Sequence, residues 1–174
     1  MELSKTSTKM TKIKRIFVDM DGVVADFITG CSGMIGQPLT PDQDGHNIYD
    51  ERKVELTNKR LFRHLPPMVD YADLIAYIRH TELPWEILTA AGVVNRELVV
   101  YDKQEWIKEW VCPNVVVTCT YSGSQKSAFA KKGFVLIDDR KRNIECWEEA
   151  GGIGILHKTA QNTIETLKAL RNPQ

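Results

Sequence analysis

The chemistry of this chain is densest where an apolar run meets acids, at Ile16-Phe17-Val18-Asp19-Met20-Asp21-Gly22-Val23. The β-branched and aromatic run reads as a buried strand with apolar residues on both faces. Residues two apart on a strand point the same way, so Asp19 and Asp21 are expected on one face at its carboxyl end. Carboxylates that close repel unless a cation lies between them or one keeps a proton. Three later segments carry matching chemistry. Ile87-Leu88-Thr89-Ala90 ends in a hydroxyl followed by small residues, whose backbone N–H groups can approach an anion. Ser124-Gln125-Lys126 brings a lysine to the start of a helix, and Leu136-Ile137-Asp138-Asp139-Arg140 repeats the apolar strand followed by acids. In a parallel sheet all four ends lie at the edge where open α/β folds bind ligands.

This set suits phosphoryl transfer. A phosphate monoester arrives as a dianion, which a carboxylate nucleophile repels unless its charge is neutralised. Magnesium fits that task, with an octahedron of carboxylates, waters and a phosphate oxygen. Asp19 would attack phosphorus in line and form an aspartyl-phosphate. Asp21 would protonate the leaving alcohol, then deprotonate the water that hydrolyses the intermediate. Lys126 and Thr89 would hold the remaining phosphate oxygens. Each residue alone has a plainer reading: a surface lysine, a strand-ending threonine, an Asp138-Asp139 cap for a helix beginning near Arg142. Their order, spacing and strand-end placement favour the joint reading.

The elements that must position them follow from periodicity. Strand-like runs recur at Glu86–Thr89, Val115–Thr118, Phe134–Asp138 and Ile153–Leu156. Helical stripes alternate with them: Tyr71–Arg79 gathers Leu74, Ile75 and Ile78, and Asp102–Val111 gathers Trp106, Ile107 and Trp110. Asn143–Ala150 and Thr159–Leu170 carry similar stripes, and the tryptophans read as core. Strands alternating with helices predict an α/β fold, a three-layer Rossmann-like parallel sheet with helices on both faces. Between the first strand and Tyr71 the rhythm breaks. Gly30, Gly33, Gly36, Pro38, Pro41 and Gly45 interrupt the first half, Val54–Phe62 suits a short helix, and Pro66-Pro67 returns the chain. A loop that long without a role is unusual, so a small, mainly helical cap inserted after the first strand is expected. The division is a leader at 1–12, a catalytic core at 13–26 and 66–174, and a cap at 27–65.

Composition narrows the partners. The 174 residues suit one domain with an insertion, and 23 basic residues balance 23 acidic ones. No basic field favours a nucleic-acid polymer, and no apolar stretch is long enough to span a membrane. The leader lacks the apolar segment of a secretory signal. Cys31, Cys112, Cys119 and Cys146 show no metal-ligand spacing and read as reduced cysteines of a cytoplasmic protein. His46, His64, His80 and His157 are dispersed and default to surface or loop positions.

With its four ordered motifs, Asp19-Met20-Asp21-Gly22, Thr89, Lys126 and Asp138-Asp139, the chain resembles the haloacid dehalogenase-like phosphatase superfamily from Ile16 to about Leu167. Within it the chain looks most like the 5'(3')-deoxyribonucleotidases. Asp19-Met20-Asp21-Gly22-Val23-Val24-Ala25-Asp26-Phe27 is close to that family's first motif. Leu61-Phe62-Arg63-His64-Leu65-Pro66-Pro67-Met68 resembles its return from the cap, and Tyr101-Asp102-Lys103-Gln104-Glu105-Trp106-Ile107 its Tyr-acid-Lys-x-x-Trp helix start. Leu136-Ile137-Asp138-Asp139-Arg140 matches its fourth motif.

The resemblance implies a magnesium-dependent phosphomonoesterase for nucleoside monophosphates. Asp19 would be the nucleophile and Asp21 the acid/base, its main-chain carbonyl also reaching the metal. Asp139 would be a further ligand, and Asp138 either a ligand through water or an orienter of Lys126. Lys103 would join Lys126 at the phosphate from a helix N-terminus. Phe27 would stack on the base, or serve only as a packing residue at the cap hinge. Where the family usually continues Ser-Pro after Thr89, this chain has Ala90-Ala91, which removes a hydroxyl near the sugar while leaving backbone contacts such as that of Ala90. The cap is shorter than in the animal enzymes. The expected partner is a small nucleotide, and the oligomeric state is left open, a homodimer among the options. The alternatives are a phosphatase of the same mechanism acting on another small phosphomonoester, and a nucleotide-binding module without turnover.

Overall fold

A computed structural model describes residues 12–40 and 43–171. The expected leader, apart from Lys12, and the break at Pro41 lie outside the described residues. The elements follow in the order β1 (Arg15–Val18), α1 (Phe27–Ile35), α2 (Gln43–Asn58), a 3₁₀ turn (Leu61–Arg63), α3 (Tyr71–His80) and β2 (Trp85–Ala90). Then come α4 (Arg96–Trp110), β3 (Val117–Thr120), a second 3₁₀ segment (Ser124–Phe129), β4 (Phe134–Asp138), α5 (Lys141–Glu149), β5 (Ile153–Leu156) and α6 (Ala160–Arg171).

The five strands lie in the order β3-β2-β1-β4-β5, and every pairing is parallel. Strand alternation divides the core between two faces. Ile16, Val18, Ile87, Val135 and Ile137 pack with Leu74 and Ile78 of α3, Trp106 and Ile107 of α4, and Leu167 of α6. Phe17, Leu88 and Leu136 face the other way, against Ile144 and Trp147 of α5. There the Phe17 and Trp147 rings meet edge-on at 5.3 Å. The architecture is the expected three-layer parallel α/β fold. The chain order reverses direction on either side of β1, so the crevice outside β1 and β4 is the switch point where such sheets bind ligands.

Several elements depart from the sequence expectations. β3 begins two residues later than Val115, because Ile87 pairs with Val117 while Val116 stays 59% exposed. An edge strand has a less uniform apolar pattern to mark its ends. α4 begins six residues before Asp102, its first turns disguised by the β-branched Val99-Val100. Trp110 at its end is 40% exposed, stacked on the buried Trp106 rather than inside the core. His157 is buried instead of lying at the surface, its Nδ1 2.8 Å from the Thr163 hydroxyl. The expected helix at Val54–Phe62 is the end of the longer α2, which ends at Asn58 before the separate 3₁₀ turn. α2 has little apolar period. Its Glu55 is held instead by Arg52 and Lys59, i,i+3 and i,i+4 pairs that support a polar helix.

The helices after β1 are tied down at both ends. Asp26 caps α1, accepting the Thr29 N–H at 3.0 Å and the Thr29 hydroxyl at 2.8 Å. Gly36 closes α1 at φ 79°, a left-handed position that suits glycine. On the return, the Asp26 N–H reaches the Pro66 carbonyl at 2.8 Å, and the indole N–H of fully buried Trp106 reaches the Leu65 carbonyl at 2.7 Å. Trp106→Phe leaves that carbonyl without its donor in the interior, a loss of roughly 1–3 kcal/mol before any cavity is counted. Urea unfolding should show a lower midpoint at unchanged slope. An unchanged midpoint would mean that the indole bond contributes nothing to anchoring the return.

Candidate active site

β1 delivers two acids that part company. The Asp19 N–H still bonds the Ile137 carbonyl at 2.9 Å, so the backbone follows β4 up to that residue. Beyond it the chain turns sharply, and the N–H groups of Val23, Val24 and Ala25 converge on the Met20 carbonyl. Asp19 and Asp21 therefore do not share a strand face, because the strand ends before Asp21. The Asp19 Oδ1 accepts the Met20 N–H and the Lys126 ammonium, both at 2.8 Å. Asp21 Oδ2 instead accepts the Lys103 ammonium at 2.5 Å. Each acid has its own lysine, a third escape from repulsion beside a shared cation or proton. Asp21 Oδ1 is buried with no partner among the described residues.

The two lysines are 0% and 1% exposed, and their partners explain why that is tolerable. Lys126, on the 3₁₀ segment after β3, also donates to Asp138 Oδ2 at 2.6 Å. Burial alone would lower its pKa, but the Asp19 and Asp138 charges outweigh that and leave it raised. Asp138 is further bonded by the Arg140 N–H at 2.9 Å and by the Asn143 amide at 3.0 Å to each oxygen. Burial and the Asp19 charge push its pKa up against the pull of Lys126. Asp138 thus bonds Lys126 directly and does not stand at the N-cap position of α5, which Arg140 holds. Asn143 gave no signal in the sequence, since a lone asparagine in a helix's first turn is ordinary. Gly123 makes room for it: a Cβ there would lie 2.3 Å from the Asn143 Oδ1.

Lys103 sits in the middle of α4 rather than at a helix N-terminus, so the helix dipole is not what prepares it for an anion. Its ammonium is held by Asp21, by the Thr89 hydroxyl at 3.0 Å, and by the Phe62 ring at 4.5 Å. Thr89 is itself fully buried at the end of β2. Ala90 is the last residue of β2, in register with Thr120. The following Ala91 N–H is given to the Thr120 carbonyl at 2.9 Å, so the expectation of an N–H open to an anion fails at Ala91. Phe27, 7% exposed, opens α1 in an aromatic cluster, edge-on to Tyr49 at 5.1 Å and stacked on Phe62 at 6.1 Å. Burial, and after it the Asp21 charge, push the Tyr49 phenol up. Tyr49 lay in a segment whose composition gave no pattern.

Asp19, Asp138 and Asp139 offer carboxylate oxygens that all lie within 4.8 Å of one another. Three acids that close suit a hard divalent cation such as magnesium. Asp138 has both oxygens occupied by hydrogen bonds, whereas none reaches the Asp139 carboxylate among the described residues. Burial, then the charges of Asp19 and Asp138, push Asp139 up to about 7. Gly22, at φ 76°, is what lets it come so near, since a Cβ there would lie 2.2 Å from Asp139 Oδ2.

No protein-family model matches the chain, and no curated protein matches it. Solved structures do. A haloacid dehalogenase-like family hydrolase from Xanthomonas campestris is 14% identical, with 92% of this chain and 97% of that chain covered at a TM-score of 0.58. A superfamily hydrolase from Ehrlichia chaffeensis is 12% identical, with 94% and 100% covered and a TM-score of 0.54. D,D-heptose 1,7-bisphosphate phosphatase from Burkholderia thailandensis is 8% identical, with 90% and 99% covered and a TM-score of 0.52. The fold is therefore that of the haloacid dehalogenase-like hydrolases. At these identities the likeness carries the fold and not the substrate. No helix among the described residues is long and apolar enough to cross a membrane.

Asp139→Asn separates the site's chemistry from its stability. A carboxyl raised above its unfolded value of 3.8 destabilises the fold at high pH, and that penalty is relieved as pH falls from about 7 toward 3.8. In the presence of chelator the variant should melt higher than wild type at pH 8, with the gap closing as the pH is lowered. Added magnesium should raise the melting temperature of wild type and leave the variant unmoved. A variant less stable at pH 8 would contradict the charge crowding.

Proposed function

We propose that the chain is a magnesium-dependent phosphomonoesterase that hydrolyses nucleoside monophosphates, deoxyribonucleotides first among them. The observation that carries this reading is the pairing of two buried lysines with two separate acids, Lys126 with Asp19 and Lys103 with Asp21, beside the Asp139 carboxylate, which no hydrogen bond reaches among the described residues. A bland polar strand end needs no such arrangement. The phosphatase among the structural neighbours supports the same reaction class.

Asp19 attacks phosphorus in line as the ester P–O bond breaks, and Asp21 gives its proton to the departing alcohol oxygen. Water then attacks the aspartyl-phosphate, Asp21 takes the water's proton, and phosphate leaves with Asp19 restored. Lys126, Lys103 and Thr89 hold the oxygens that do not react, cancelling charge as it builds. A magnesium ion held by Asp19, Asp139 and the Asp21 main-chain carbonyl would supply further charge neutralisation. Asp138 keeps Lys126 aimed. The Phe27, Tyr49 and Phe62 rings form a packed cluster whose Phe62 covers the Lys103 ammonium, and a base would have to open that cluster to stack on Phe27.

The test is phosphate release from a panel of deoxy- and ribonucleoside monophosphates and base-free phosphate esters, with and without magnesium. Magnesium-dependent turnover should favour nucleotides. Preference for base-free esters would support a phosphatase of the same mechanism with another substrate, and nucleotide binding without release would support a binding module. Asp19→Asn should fold normally and fall below about a tenth of wild-type turnover, because an amide is a poor nucleophile. Activity above that removes Asp19 from its role.

Phe27→Ala should lower kcat/KM for a nucleotide by about ten- to a hundredfold, the usual worth of base stacking, and much less for a base-free ester. An equal fall for both would make Phe27 a packing residue only.

A further inference from the structure

Arg60 stands in an unusual place for an arginine. Its backbone is left-handed, at φ 62° and ψ 39°, a conformation that side chains with a Cβ disfavour. Backbone strain of this kind persists where surrounding contacts over-determine it. Its N–H bonds the Thr57 carbonyl at 3.0 Å, and its side-chain contacts come from α4. The guanidinium Nε lies 2.8 and 2.9 Å from the two oxygens of Asp102, and its Nη2 bonds Oδ1 as well. Asp102 is 1% exposed, and among the described residues Arg60 supplies every hydrogen bond that reaches its carboxylate. The same guanidinium lies over the Tyr101 ring at 5.7 Å.

The residue that follows Asp102 is Lys103. Two positions after Arg60, the Phe62 ring covers that lysine's ammonium at 4.5 Å. Arg60 therefore grips α4 one residue from Lys103, and it also fixes the turn that lays Phe62 on it. The outer contacts of the return, Arg63 with Glu109 and Leu65 with Trp106, lie further along α4 and hold the segment without touching the lysine.

We propose that Arg60 is a positioning residue: through Asp102 and Phe62 it holds the Lys103 ammonium against Asp21 and Thr89. Its removal leaves a buried carboxylate unpaired, and the α4 segment must shift or admit water to relieve it. A shift of about 1 Å at a group that holds substrate can reduce turnover about a hundredfold. The catalytic consequence rests on the phosphatase reading above, while the placement of Lys103 does not.

Two measurements test this. The first is a crystal structure of Arg60→Gln, in which the Lys103 ammonium should lose its contact with Asp21, with Thr89, or with both. Retention of both contacts overturns the proposal. The second is kcat/KM in a double-mutant cycle with Lys103→Met. Arg60→Gln should lower kcat/KM by about ten- to a hundredfold in the wild-type background and by no more than about twofold once Lys103 is gone. Arg60→Lys, which keeps the charge but cannot bridge both oxygens, should recover part of the loss. An equal loss in both backgrounds would make Arg60 a stabiliser of the fold alone and overturn the proposal. If Arg60→Gln does not fold, Asp102→Asn breaks the same pair without leaving a buried charge, and it is held to the same outcomes. If wild type hydrolyses no phosphate ester, the phosphatase reading falls, and the crystal structure alone decides the placement of Lys103.

Discussion

Two buried ammonium groups must be paired, and much of the site's architecture follows from that constraint. Removing an ion from water costs several kcal/mol even in a relaxed protein interior, so an unpaired lysine at 0% or 1% exposure is not a stable option. Lys126 meets Asp19 and Asp138, and Lys103 meets Asp21 and Thr89. The partners come from the ends of three strands and the turn after one of them. Only a parallel sheet with β1 between β2 and β4 brings those ends to one edge.

The same pairing leaves the site short of one balance. Among the described residues no lysine pairs with Asp139, which lies within reach of Asp19 and Asp138. Burial first, and then the charges of Asp19 and Asp138, push the Asp139 pKa up, and a divalent cation is a group whose charge and oxygen preference would offset that crowding. Two glycines allow the crowding. Gly22 admits the Asp139 carboxylate, and Gly123 admits the Asn143 amide that steadies Asp138. A side chain at either position would push apart groups whose separation sets the charge balance.

The strands and their acids were legible in the sequence because buried parallel strands are continuous apolar runs with abrupt polar ends. Asp19, Thr89, Lys126 and Asp138-Asp139 stand at or just beyond such ends. What was not legible depends on contacts between distant segments. The turn after Asp19 sends Asp21 to Lys103 instead of leaving it beside Asp19, and no local pattern encodes that partner, 82 residues away. The start of α4 was hidden by β-branched residues, which moved Lys103 from an expected helix start to a helix middle. The part of α2 before Val54 escaped notice because ion pairs along the helix surface stand in for an apolar stripe. Asn143 and the Arg60–Asp102 pair are single polar residues whose meaning exists only in three dimensions.

The arrangement makes one central chemical claim, that Asp19 and not water attacks phosphorus first. The stereochemical course at phosphorus tests it most directly, using a substrate whose phosphate is made chiral with oxygen isotopes and sulfur, hydrolysed in isotopically labelled water. Two successive in-line displacements, by Asp19 and then by water, require overall retention. Overall inversion would mean a single displacement by water, and it would contradict the covalent role given to Asp19.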